Sequence, residues 1–333
     1  MSSVDVVVPC YNYARFLTSC VNSVLNQNDV DVRVLIIDDA SSDDALLVGQ
    51  NIVEQDPRVM FRSHITNRGN INTYNEGIEW ASGDYFLLLS ADDWLLPGAL
   101  ARAARVLDEH SEVVLTCGHA AVAKRDESLP GIEFQNNRPK YRVVTGQSFM
   151  ETACSNSTAS PIWTPTAIVR TSVQKSIGGY SSNLPHAGDL EMWLRFACRG
   201  SIAILDAWQA VYRKHESNMH YSFKDLANLR QHLLAFESAF EKDGHKIVNR
   251  EALREQYRRS LAIGAIHLIE HAPSHNDDTV DEAYAFAKEV FPKIHTTGSW
   301  WKMRVTQILG HRTVNFLKSI FAPALTALRR GWR

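Results

Sequence analysis

Cysteine is scarce in this chain, and its spacing is wrong for a stapled fold. Five are present (Cys10, Cys20, Cys117, Cys154, Cys198), an odd number with no C-x-x-C pair. That argues against a disulfide or zinc framework and for reduced, mostly buried thiols. No apolar run approaches the roughly 18 residues of a membrane span. No G-x-G-x-x-G follows the first predicted strand, which argues against a dinucleotide oxidoreductase. The segment PCYNYARF found there has no glycine-rich, basic phosphate loop, which argues against a nucleotidyltransferase. The thirteen histidines show no H-E-x-x-H spacing. MSSVDVVVP lacks the basic region of a signal peptide, so a cytoplasmic protein is expected. Neither an internal repeat nor a low-complexity segment is evident.

What is present is a globular composition, with 45% hydrophobic and 22% charged residues over 333 positions. The net charge of −2 hides an asymmetry. Residues 299–333 hold seven Lys or Arg and no acid. The remainder therefore has 28 basic against 37 acidic residues, about −9. An acidic body argues against nucleic acid as a partner.

The first two-thirds alternate strand and helix signals. VDVVVP (4–9) is nearly all apolar and β-branched, as a parallel strand covered on both faces should be. Phe16, Leu17, Cys20, Val21, Val24 and Leu25 recur at helical spacing. Strands at 31–38, 59–64 and 85–90 follow, with helices opening near 41 and spanning 71–82. This rhythm predicts an α/β fold with a mostly parallel sheet flanked by helices. Further strands are expected at 112–123 and 164–170, a helix at 188–200 and a strand pair at 201–213. From about 222 the period is helical. The expected division is a catalytic domain at 1–218, a helical extension at 219–298 and a basic amphipathic tail at 299–333.

In such sheets ligands bind at the carboxyl ends of the strands, and acids cluster there. LLLSADDWLLPG (87–98) ends a buried strand in Asp92 and Asp93. Adjacent carboxylates repel unless a cation lies beside them, and hard oxygen pairs suit Mg²⁺ or Mn²⁺ carrying a phosphate. The alternative is a turn and helix cap. VVPCYN (7–12) places Pro9, Tyr11 and Asn12 at the same edge, and IIDDASSDD (36–44) adds Asp38 and Asp39. NRGN (67–70) sets Asn67, Arg68 and Gly69 before a helix N-terminus, where an anion is stabilised. GDLEMW (188–193) opens a helix with Asp189, either a reactive carboxylate or a stabiliser of the helix dipole.

In this order and spacing the motifs resemble the family 2 glycosyltransferases of the GT-A fold, over about residues 3–218. The resemblance implies that Tyr11 stacks on a nucleobase, that Asp38, with Asp39 beside it, reads the base, and that Ser90, Ala91, Asp92 and Asp93 form the metal element. It implies that Asp189 is the general base of an inverting reaction. YRKHESNMH (212–220) resembles the segment that closes over the donor, with Arg213 and His215 near the diphosphate and His215 a metal ligand. Two departures stand out: Ser90 replaces the first Asp of D-x-D-D, and Gly188 replaces the Glu of an E-D pair. Glu191 and Trp193 are candidate acceptor contacts, and Thr164, Pro165 and Thr166 are expected to hold a loop near the sugar.

The resemblance thus implies a Mn²⁺- or Mg²⁺-dependent enzyme. It would move a sugar from a nucleoside diphosphate, UDP by default, to a glycan or lipid-linked acceptor in surface polysaccharide synthesis. The other reading is a non-catalytic nucleotide-sugar-binding or scaffold subunit with a degenerate site. The tail, acid-free and amphipathic with Trp300, Trp301 and Trp332 near its ends, fits an anionic membrane surface at the inner face of the plasma membrane. The alternative is docking on the acidic body or a partner subunit.

Overall fold

The computed structural model describes residues 1–124, 138–218, 221, 223, 225–271 and 277–309. Four parallel strands, β1 (Ser3–Cys10), β2 (Asp31–Asp38), β3 (Val59–Ser63) and β4 (Tyr85–Leu88), are joined by α1 (Ala14–Leu25), α2 (Ala45–Gln55) and α3 (Asn70–Trp80). The apolar run of β1 explains its central place. Val4, Val6 and Val8 enter one core with the buried face of α1, while Val7 enters the other with Leu35 and Ile37. A strand covered on both faces cannot alternate polar and apolar residues.

Beyond β4 come β5 (Trp94–Leu95), α4 (Ala99–Glu109), β6 (Val113–Lys124), β7 (Tyr141–Val144), α5 (Gly146–Ser155), β8 (Ile168–Arg170), α6 (Thr171–Ile177), α7 (Gly188–Ala197) and β9 (Ser201–Lys214). Among the described residues the sheet runs β3-β2-β1-β4-β8-β6-β9-β5, with β7 also on β9. β8 lies antiparallel between β4 and β6, and β6 runs parallel to β9.

Two segments differ from expectation. Residues 201–213 are one long strand, not a pair. Its first half pairs with β7 and its second with β5, along one edge. The register shifts around His119 that bend the ladder sit beside Gly118. A Cβ on Gly118 would lie 2.7 Å from Gln209 Cγ and 2.9 Å from the Ala207 carbonyl oxygen. Of 164–170, only the end is strand. Pro165 has no N–H to give a ladder, and Thr164–Thr166 forms a 3₁₀ turn.

The C-terminal helices are α8 (Asp225–Asp243), α9 (Arg250–His271), α10 (Asp277–Val290) and α11 (Gly298–Leu309). They share the core of the sheet. One apolar cluster runs from Val7 and Leu35 through Phe196 to Phe236, Tyr257 and Phe286. Phe236 and Tyr257 stack at 4.6 Å. The helices from Asp225 onward therefore pack into the same core as the sheet.

The tail begins on the body. Trp300 is buried against Tyr284, Met303 is buried, and Lys302 Nζ lies 2.7 Å from Glu270 Oε2. Trp301 and Val305 face outward. The expectation for 310–333 lies outside the described residues. Among the described residues no helix is long and apolar enough to cross a membrane.

Candidate active site

The ends of β1, β2 and β4 open on a cavity of about 850 Å³. Pro9, Tyr11, Asn12, Asp39, Asn67, Gly69, Ser90, Asp92, Asp93, Thr164 and Asp189 all line it, so it gathers all five sequence motifs. Backbone hydrogen bonds between the emerging loops fix its floor. The Asp39 N–H donates to the Cys10 carbonyl at 2.9 Å, and the His64 N–H to the Asp38 carbonyl at 2.8 Å.

Asp92 and Asp93 are both buried, and their repulsion is answered from β9. The Arg213 N–H donates to Asp93 Oδ1 at 2.9 Å, and Arg213 Nε donates to the Asp92 carbonyl at 2.9 Å. The guanidinium lies 4.3 Å from the Phe16 ring centroid and 4.6 Å from that of Trp94. Burial, followed by the neighbouring Asp92, pushes the Asp93 carboxyl well above the usual carboxylate range. Asp92 Oδ2 meets His215 Nε2 and Asn218 Nδ2, each at 3.1 Å. Asp92 Oδ1 is buried and has no hydrogen-bond partner. The two acids are therefore unequal: Asp93 tethers β9, and Asp92 presents an unfilled oxygen. Arg213, expected near a diphosphate, instead braces the pair from below and lines no part of the cavity.

The anion site expected before α3 is already filled by the protein. The N–H groups of Arg68 and Gly69 donate to Asp39 Oδ1 and Oδ2, both at 2.8 Å, and Asp39 Oδ1 also meets His64 Nδ1 at 2.6 Å. His64 Nε2 reaches Glu76 at 2.9 Å. Burial pulls the His64 pKa down, but the two carboxylates outweigh it and leave it raised. Gly69, at φ +82°, makes the turn into the helix. Asp39 thus shapes the loop, with both oxygens spent. Arg68 leans outward, 3.9 Å from Glu76, and lines no part of the cavity.

Asp38 is also consumed by the scaffold. Its Oδ1 accepts from the Ser41 N–H at 3.2 Å and its Oδ2 from Ser63 Oγ at 2.9 Å. It is buried behind the cavity wall, which does not suit the base-reading role expected of it. Asn12, at φ +59°, accepts from the Ser42 N–H at 2.8 Å, and Asp43 accepts from the Ala14 N–H at 2.9 Å. Tyr11 leaves about half of its surface exposed on the cavity wall. Ala91 is wholly buried and offers the cavity nothing.

Asp189 sits in the first turn of α7 and faces the cavity. Burial raises its pKa, against the opposing effect of hydrogen bonds from Thr164 and Tyr180. Glu191 and Trp193 do not join it. Glu191 is fully buried and bonds Lys242 Nζ at 2.7 Å and Ser238 Oγ at 2.9 Å. Trp193 is buried beside Phe196. Glu191, two residues on and about 200° round the helix, faces away from the wall that Asp189 occupies, and Trp193, one turn further along α7, is taken up by the core. Sequence reading missed Tyr74, Trp163, Tyr180, His186, Tyr212 and Asn218, which also line the cavity. Only Tyr212 and Asn218 carried a signal, lying in YRKHESN.

Residues 5–166 match the model described as Glycosyl transferase family 2. A Campylobacter jejuni GalNAc(5)-diNAcBac-PP-undecaprenol beta-1,3-glucosyltransferase is 34% identical over 110 residues, 33% of this chain and 36% of that protein. The chain spans between 36% and 64% of the lengths of three further curated relatives. Staphylococcus aureus TarS 1-349 in complex with UDP-GlcNAc superposes with a TM-score of 0.62 at 18% identity, covering 88% of this chain and 82% of that one. The mannosyltransferase PcManGT of Pyrobaculum calidifontis, in complex with GDP-Man and Mn²⁺, gives 0.51 at 16% identity, covering 92% and 87%. With the strand order, the acidic strand ends and the family match in agreement, the chain has the GT-A fold and its residues 5–166 match a family 2 glycosyltransferase domain.

Proposed function

We propose that the protein transfers a sugar, with inversion, from a nucleoside diphosphate to a glycan or lipid-linked acceptor, using Mn²⁺ or Mg²⁺. One observation carries the metal dependence. Among the described residues the cavity is lined by Asp39, Asp92, Asp93 and Asp189 and by no Lys or Arg. The helix N-terminus expected to receive a phosphate already holds Asp39. A diphosphate entering such a site needs its countercharge brought with it.

The residues present fit that cation. Asp92 Oδ1 is a buried oxygen without a partner, and His215 lies on the same carboxylate. A carboxylate oxygen suits Mn²⁺ and Mg²⁺ alike, while His215, expected as a metal ligand, lines no part of the cavity and holds the other Asp92 oxygen through Nε2. Among the described residues no three His, Cys, Asp or Glu side chains cluster as a metal site. The remaining ligands would be diphosphate oxygens and water, as these ions prefer. When bound, the ion stabilises the charge that develops on the leaving diphosphate.

The chain's own residues do the rest. Tyr11 offers an exposed ring for the base to stack on. Asp189 accepts the proton of the acceptor hydroxyl as its oxygen bonds the anomeric carbon. The carbon–oxygen bond to the diphosphate breaks on the opposite face, and the nucleoside diphosphate leaves with the electron pair. Burial makes Asp189 a stronger base than a solvated aspartate.

UDP is the nucleotide favoured, since TarS binds UDP-GlcNAc on this fold. A lipid-linked acceptor is supported by the undecaprenol-linked substrate in the Campylobacter relative's name. The outward Trp301 and the acid-free tail would hold the enzyme at the inner face of the plasma membrane during surface polysaccharide synthesis.

Calorimetry with UDP, GDP and dTDP, each with and without Mn²⁺, tests the site. Mn²⁺ should tighten UDP about tenfold or more, and Asp92→Ala should abolish that gain. Equal UDP affinity with and without the ion refutes metal dependence. Asp189→Asn should keep UDP·Mn²⁺ binding and lose turnover; wild-type turnover would remove Asp189 as the base.

A further inference from the structure

Two neutral donors from different parts of the fold converge on Asp189. Thr164 Oγ1 donates to Asp189 Oδ2 at 2.7 Å, and Tyr180, on the same cavity wall, faces the carboxylate with its hydroxyl and acts to lower its pKa. Both donors are held in place. Thr164 opens a turn closed by the Thr166 N–H on the Trp163 carbonyl at 2.9 Å and the Ala167 N–H on the Thr164 carbonyl at 3.1 Å. The Gly118 N–H reaches Thr166 Oγ1 at 3.3 Å and joins that turn to β6. Tyr180 is clamped by one amide of α3. Asn75 Nδ2 donates to the Tyr180 carbonyl at 3.0 Å, and the Tyr180 N–H donates to Asn75 Oδ1 at 2.7 Å.

Gly188 belongs to the same arrangement. A Cβ built there would stand 3.0 Å from Tyr180 Cδ1, tighter than ordinary packing. A longer side chain at 188, such as the Glu of the E-D pattern, would press on the ring that carries the hydroxyl. The missing acid and the tyrosine are thus two sides of one local solution.

We propose that Thr164 and Tyr180 are positioning residues for Asp189, two hydroxyls that fix the orientation of the carboxylate, with Gly188 leaving room for the second. This rests on the reading of Asp189 as the base. An unheld aspartate samples several rotamers, and a base must meet the acceptor proton within hydrogen-bond reach. Each hydroxyl bond also favours the ionised carboxylate, so losing one raises its pKa. The other titratable groups facing Asp189 are Tyr74 on α3 and His186 on the loop before α7.

The test follows the titration of Asp189 by NMR in protein labelled with ¹³C-aspartate, with the signal assigned by its loss in Asp189→Asn. Thr164→Val and Tyr180→Phe should each raise the midpoint by about half a unit to one unit, and Thr164→Ser should restore it. Turnover, measured on the UDP-sugar that the wild type consumes fastest, should fall about tenfold in the first two variants. UDP·Mn²⁺ binding should stay within about twofold, and Thr164→Ser should recover the rate. A midpoint unmoved in both Thr164→Val and Tyr180→Phe overturns the proposal. Full turnover in Asp189→Asn would instead remove the base assignment, while the titration would still report whether the two hydroxyls hold the carboxylate.

Discussion

Replacing Arg213 with Met separates a brace from a ligand. The side chain is buried, donates through Nε to the Asp92 carbonyl and lies between the rings of Phe16 and Trp94. A charge-assisted hydrogen bond contributes about 1.5–3 kcal/mol, and each desolvated cation–π contact up to about 2 kcal/mol. These do not add in full, because methionine keeps some of the packing. Losing the cation also leaves two buried carboxylates without their nearest positive charge, so about 3–5 kcal/mol is the reasonable loss. For a chain of this length, unfolding entropy of about 2.1 cal/mol/K per residue makes each kcal/mol worth about 1.5 °C. Differential scanning calorimetry should therefore show a Tm lower by roughly 4–7 °C. UDP·Mn²⁺ affinity, measured well below that Tm, should fall less than about tenfold, since Arg213 lines no part of the cavity. An unchanged Tm with UDP binding weakened about a hundredfold would show that the guanidinium meets the diphosphate, and the reasoning above would fail.

Three further outcomes are expected. Trp193→Ala should cost about 3–5 kcal/mol in urea unfolding, as loss of a buried aromatic does; if Trp193→Phe altered acceptor KM without altering stability, its placement in the core would be wrong. The raised His64 pKa stabilises the fold fully below its unfolded value near 6.5, and that stabilisation is lost as pH rises through the folded value. The urea midpoint should thus decline from pH 6 to 8 in the wild type and flatten in His64→Asn; parallel profiles would refute the Asp39–His64–Glu76 bridge as its origin. The full chain should co-sediment with anionic vesicles, and a truncation after residue 309 should not; equal partition would assign the tail to the body or a partner.

The architecture was legible because the signals behind it are periodic and local. β1 reads as valine after valine, and α1 shows its buried face at three- and four-residue spacing, so both stand where expected. Residues 201–213 misled because one strand serving two short partners has the pattern of two strands. Arg213 misled for a different reason. Its motif put it near the diphosphate, but whether its head faces the cavity depends on Phe16 and Trp94, contributed by other elements. Tyr180 and Trp163 came from loops whose residues follow no period.

The acids teach the same lesson more sharply. Asp38, Asp39, Asp92, Asp93 and Asp189 were all visible as carboxylates near strand ends or the start of a helix, and position made each a candidate site residue. What separates them is the occupancy of individual oxygens. Asp38 and Asp39 are saturated by hydroxyl, amide and imidazole donors. Asp43 receives the Ala14 N–H at the head of α1, and Asp93 receives the Arg213 N–H. Those four carboxylates turn loops into fixed walls. Asp92 keeps a buried, unpartnered oxygen, and Asp189 is held by Thr164 while burial makes it the stronger base. A sheet edge crowded with acids can therefore be both rigid and reactive: most of its charge is spent on backbone donors that would otherwise go unpaired, and the remainder faces a cavity with no Lys or Arg among its described lining residues.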